Sequence, residues 1–108
     1  MSEKKLKLSK DEIRKLIEPI GSGFASDKIT IVGLPVGYMY REEPEFEEDS
    51  GWRFFSGTED QEYVDNPDNI MIYDVNTIAN YDPAIIAYLH LKVDSELERV
   101  NDDTFKMR

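Results

Sequence analysis

Few residues in this 108-residue chain could carry chemistry, and their spacing decides against most of it. His90 is the single histidine, so a Ser-His-Asp triad, a histidine general base or a multi-histidine metal site would have to run through it. It follows Leu89 at the end of a helical pattern, where a histidine reads as a favourable C-terminal cation or a plain surface residue. Cysteine is absent, which removes disulfides, thiolate metal sites, iron-sulfur clusters and cysteine nucleophiles together. The acidic run Glu42, Glu43, Glu45, Glu47, Glu48 and Asp49 offers oxygen ligands but not the fixed loop spacing that calcium or magnesium needs. Asp65-Asn66-Pro67-Asp68-Asn69 fails the EF-hand pattern, with proline at the second ligand position and no closing glutamate. Gly21-Ser22-Gly23 lacks the lysine and hydroxyl residue of a phosphate loop and reads as a helix terminator. The expectation is no catalytic residue, no metal ligand and no cofactor.

Macromolecular binding is the function class left standing. The formal charge is −10, and it is uneven: residues 1–20 carry six basic and four acidic groups, residues 41–70 two basic and eleven acidic. Such a field repels nucleic acid and anionic lipid and steers a basic partner, although acidity of this kind also serves plain solubility. No stretch approaches the ~20 apolar residues of a membrane span, and the N-terminus lacks the apolar core of a signal peptide, so the chain reads as cytoplasmic. Two acidic segments bracket the aromatic run Trp52-Arg53-Phe54-Phe55. Tryptophan and arginine anchor protein interfaces inside a polar rim, which makes Glu42, Glu45, Glu48, Asp49, Trp52, Arg53, Glu59, Asp60 and Glu62 the candidate partner-binding residues. For Trp52 and Phe54 the core reading is the stronger one, since they face away from Arg53 and Phe55.

The elements that must position these residues fit one domain over 1–108. Ser9 ahead of Asp11 and Glu12, with Ile13, Leu16 and Ile17 on one face, predicts a short helix ended by Pro19 and Gly21, an N-terminal extension over 1–20. Phe24–Val32 reads as extended with a turn at Ser26-Asp27-Lys28, and with Val36–Tyr40 suggests a hairpin. Gly51–Gly57 is a strand bracketed by glycines, and Ile70–Tyr73 reads as a buried strand near the sheet centre. A helical turn is expected over Asp74–Tyr81, and Asp82-Pro83 starts a helix turning Ile85, Ile86 and Leu89 inward. Glu96–Val100 and Thr104–Met107 are expected edge strands. The fold class is therefore α+β: one small, mainly antiparallel sheet with an N-terminal helix and one or two short helices packed against it.

The segments Ser26–Thr30, Leu34–Glu42, Asp49–Gly57 and Ile72–Pro83, in that order and spacing, resemble a bacterial family, the thirty-third numbered immunity-protein domain, over roughly residues 22–100. The resemblance implies a protein that neutralises a cognate toxin by binding it in the producing cell, and it brings no catalytic residues. The partner would be a basic toxin domain, docked on the acidic segments 42–49 and 58–68. The competing readings are a small-ligand-binding or minor hydrolytic accessory domain and a self-associating structural protein. The oligomeric state stays open.

Overall fold

The computed structural model describes residues 5–108, so the first four residues of the expected N-terminal extension lie outside it. Six strands, β1 (Ser22–Ser26), β2 (Tyr38–Arg41), β3 (Asp49–Phe55), β4 (Ile70–Asp74), β5 (Glu96–Arg99) and β6 (Phe105–Met107), form one sheet in the order β4-β1-β3-β2-β5-β6. β1 and β3 run parallel and the other neighbours antiparallel, a mixed but mainly antiparallel sheet. Three short helices, α1 (Asp27–Thr30), α2 (Gln61–Asp65) and α3 (Val75–Tyr81), a 3-10 helix over Pro83–Tyr88 and single 3-10 turns at Lys10–Glu12 and Pro67–Asn69 complete the α+β fold.

Strand alternation sorts the side chains into two layers. Ala25, Met39, Trp52, Phe54 and Leu97 point to one face, where they meet Ile29 of α1, Val75, Ile78 and Ala79 of α3, and Ile85 and Leu89. All are buried, and each large side chain stabilises the fold by about 1.5–3 kcal/mol. Trp52 donates from Nε1 to the Leu89 carbonyl at 3.3 Å, which satisfies its one polar atom inside this core.

Short polar side chains switch strands into helices. Ser26 closes β1 and caps α1, accepting from Lys28 N at 3.1 Å. Asp74 closes β4 and caps α3, and Asp82 caps the 3-10 helix with Pro83 at its first position, as expected. Asp82 does more: its carboxylate also accepts from Val36 N at 2.9 Å and pairs with Arg99, tying the segment that leads into β2, and β5, to the helical layer.

Four expectations are corrected. The segments at 24–32 and 36–40 form no hairpin, because β3 inserts between β1 and β2 and pairs with both. The turn at Ser26-Asp27-Lys28 is the first turn of α1. β4 is an edge strand; its apolar run serves both faces, leaving Met71 and Ile72 44% and 52% exposed. β5 lies between β2 and β6, its alternation burying Leu97 and turning Glu98 to solvent while Arg99 pairs with Asp82 on the core side, so of the two late strands β6 alone is an edge.

The expected N-terminal helix is also absent: the chain makes a 3-10 turn at Lys10–Glu12 and continues without regular structure to β1. Ser9 N does donate to the Glu12 carboxylate at 2.9 Å, so the start signal is real. Beyond that turn the path of the chain is set by α3, one turn of which presents Asn76 and Asn80. Asn76 Oδ1 accepts from Leu16 N at 2.7 Å and Ile17 N at 3.2 Å, Asn80 Oδ1 accepts from Arg14 N at 3.0 Å, and both amides donate to the Arg14 carbonyl at 2.8 Å. Extended backbone that finds partners there has no need of helical ones. At about 0.5–1.5 kcal/mol for each net hydrogen bond, the double substitution Asn76→Ala and Asn80→Ala is expected to release this segment. Hydrogen exchange at the amides of Arg14, Leu16 and Ile17 should then accelerate while β3 keeps its protection; unchanged exchange would show that the asparagines do not hold it.

Candidate partner-binding face

The second face of the sheet carries none of the core helices. By register, Ile72 of β4, Phe24 of β1, Arg53 and Phe55 of β3, Tyr38 and Tyr40 of β2, and Glu96 and Glu98 of β5 share it. Tyr40 and Phe55 stack at 6.1 Å and 7°, and Tyr38 lies 5.7 Å from Tyr40 and 6.3 Å from Phe55. Tyr38 donates its hydroxyl to Glu96, and burial, reinforced by that carboxylate, pushes its phenol up to about 12. Burial raises the Tyr40 phenol as well, with Glu42 adding to it. Both rings therefore stay protonated. β6 adds Lys106, in register with Glu98, and Arg108 lies just past it, with its guanidinium 5.7 Å from the Tyr38 ring centre.

Arg53 sits at the middle of this face and is only 3% exposed. Its Nη1 and Nη2 donate to the two Asp49 oxygens at 2.9 and 2.8 Å, its Nε donates to Glu42 at 2.6 Å, and its plane lies 4.4 Å from the Phe24 ring centre. Glu45 approaches Nη2 at 3.6 Å. Residues four apart on a regular strand stand roughly 13 Å apart. Here Gly51, at φ +92°, turns the strand between them, and any Cβ at that position would meet the Glu42 carbonyl oxygen at 2.2 Å. Asp49 also accepts from Glu45 N and Gly51 N, each at 2.8 Å. The Arg53 guanidinium, working with these amides against desolvation, holds the Asp49 carboxyl at about 2. Burial opposes the charge of Arg53, but Asp49 and Glu42 keep it raised.

The nine candidate residues thus fall into separate roles. Trp52 is wholly buried on the helical side, so it packs the core and offers a partner no surface. Arg53 and Asp49 are an internal ion pair, with Glu42 and Glu45 at its rim. Glu48 is exposed at the end of the β2–β3 loop. Glu59 accepts from Ser56 N, Ser56 Oγ and Gly57 N, all at 2.9 Å, and so fixes the turn after β3. Asp60 caps α2 through Tyr63 N at 2.8 Å, and Glu62 is exposed on that helix. Tyr38 and Tyr40, which flank Phe55 on this face, are the residues missed as candidates. The alternation Tyr38-Met39-Tyr40, one large apolar residue between two tyrosines, was the signal for them.

α2 closes one end of the face. Lys28 anchors the preceding loop through the Thr58 carbonyl and hydroxyl at 3.3 and 3.2 Å and lies 5.0 Å from the Tyr63 ring centre. Val64 then completes a depression of about 230 Å³ with Tyr38, Tyr40, Phe55 and Glu59. Among the described residues, no group of three or more His, Asp or Glu side chains is placed to hold a metal ion, and no helix is long and apolar enough to cross a membrane. His90 is exposed beyond the 3-10 helix.

Compared with known proteins, residues 23–108 match the model of the family described as the immunity protein Imm33 domain, a span that begins at β1 and takes in β6. No curated protein and no solved structure matches the chain.

Proposed function

The chain belongs to the Imm33 immunity protein family, and from that premise we propose that it neutralises a bacterial toxin by binding it directly, in the cytoplasm of the cell that makes both. The observation that carries this reading is the uncovered sheet face, with its aromatic centre of Tyr38, Tyr40 and Phe55 and its surround of Glu42, Glu45, Glu59, Glu96 and Glu98. An aromatic centre inside a charged rim is how protein interfaces combine affinity with steering. The chain's charge of −10 favours a toxin surface rich in lysine and arginine, and occupying such a surface blocks a toxin whose own target is anionic. Part of the acidity in segment 42–49 is neutralised by Arg53, so the steering charge rests on the exposed acids Glu43, Glu47 and Glu48 and on segment 59–68.

A ligand-binding or hydrolytic reading would draw on Arg53 and its carboxylates; the burial of Arg53 against Asp49 favours a structural role for that pair instead. The proposal is tested by sequencing the genes beside this one and co-expressing the chain with any toxin domain found there. Growth should be restored, and purified proteins should associate at a rate that falls as salt rises. Charge reversal of Glu43, Glu47, Glu48 and Glu62 together should slow association about tenfold or more at low salt. Toxicity undiminished by the folded chain would sink the proposal.

A further inference from the structure

We infer that the depression between Tyr38, Tyr40, Phe55, Glu59 and Val64 is a pocket for one basic side chain, a lysine or arginine projecting from the toxin. The inference rests on the toxin-binding reading and names the anchor within that surface.

At about 230 Å³ the depression falls below the ~300–1,000 Å³ of sites that enclose small-molecule ligands, and suits a single protruding side chain. Its walls select the kind of side chain. Tyr40 and Phe55 stand nearly parallel, with Tyr38 tilted against both, and ring faces carry the negative end of the aromatic quadrupole. Glu59 supplies the formal charge: although burial resists its ionisation, hydrogen bonds from Ser26, Ser56 and the turn backbone hold its carboxyl below the ordinary range. No basic residue lines the depression. A cation with an apolar stem meets all of these features, its stem against Val64 and the rings and its head toward Glu59. An acidic side chain would be repelled there, and a purely apolar one would leave the carboxylate without a counter-charge. The rest of the same face already accepts such groups, with Arg53 over Phe24 at 4.4 Å and Arg108 near Tyr38 at 5.7 Å.

The pocket is tested first without any toxin. Titrating the intact chain with N-acetyl-arginine amide or N-acetyl-lysine amide at millimolar concentration should shift the ring resonances of Tyr40 and Phe55, whereas N-acetyl-norleucine amide should not. Equal shifts with all three compounds, or none with the basic ones, overturn the pocket whatever becomes of the toxin. In the complex, Tyr40→Ala should weaken toxin affinity about 30-fold, the scale of an interface hot spot. Val64→Trp, which plugs the depression from its exposed wall without touching the core, should weaken it at least tenfold. Thermal melting shows whether each variant is folded. A double-mutant cycle should couple Tyr40 to one lysine or arginine of the toxin. Wild-type affinity in both variants would overturn the pocket and leave the immunity reading intact; a wild-type chain that never binds the toxin would remove the reading itself.

Discussion

Replacing Arg53 by methionine is expected to destabilise the fold by about 3 kcal/mol, because it strands a carboxylate that the structure has taken out of water. Asp49 loses two charge-assisted hydrogen bonds and keeps only the amides of Glu45 and Gly51. In a domain of this size that corresponds to a fall of roughly 10–20 °C in melting temperature. Adding Asp49→Asn should recover part of the loss, since the group left behind is then neutral; fully additive costs would mean that the pair is not coupled. The same pair sets a pH response. Asp49 titrates near 2 in the folded chain against an ordinary value of 3.8, so its contribution is complete above about pH 4 and is lost as the pH falls toward 2. The loss is on the order of 2 kcal/mol. Denaturant melts of the wild type should show that slope, and Asp49→Asn should flatten it.

Trp52→Ala is expected to cost about 3–5 kcal/mol, the largest effect of any core truncation here. The ring is fully enclosed, stacks on Phe54 at 6.1 Å, lies 5.7 Å from the Arg41 guanidinium, and donates to Leu89 across the layer. Such a loss is a large part of the roughly 5–15 kcal/mol that domains possess, so the variant should be mostly unfolded at moderate temperature. Trp52→Phe separates the core role from an interface role. It should lower the melting temperature by several degrees and leave the toxin affinity of the folded protein unchanged. An affinity loss of tenfold or more in a well-folded Trp52→Phe chain would return the tryptophan to the interface.

Local signals in the sequence were accurate where neighbours along the chain decide the structure. The helical turn begun at Asp74, the cap at Asp82, Pro83 in the first turn, and the alternation of Trp52 and Phe54 against Arg53 and Phe55 are all short-range features, and all are found. The failures are long-range. Nothing near Ser22 announces that β1 will lie parallel to β3, and nothing near Ile13 announces that asparagines more than 60 residues away will take its neighbours' backbone bonds. Ile70–Tyr73 has the composition of a central strand, but position in a sheet depends on partners, and its outer side pairs with no strand among the described residues. The proposed binding face fell between these two cases. The tyrosine alternation on β2 was legible, yet which face the helices would leave uncovered depended on where α1 and α3 pack.

Arg53 is the most instructive residue. An arginine beside a tryptophan and among acids reads as an interface anchor, and the same acids that suggested steering turn out to neutralise it. Its surroundings form the floor on which Phe24, Tyr40 and Phe55 are held. The recognition surface proposed here is therefore less the acidic loops themselves than the aromatic sheet face they surround.

The most direct test is to observe the aromatic and methyl resonances of the chain as its toxin is added. Binding through the uncovered sheet face predicts that Tyr38, Tyr40, Phe55, Phe24 and Ile72 shift or broaden while Ile78, Ile85 and Leu16 on the helical side stay in place. Perturbation confined to α3, the 3-10 helix and the N-terminal segment, with the sheet-face rings unmoved, would contradict it.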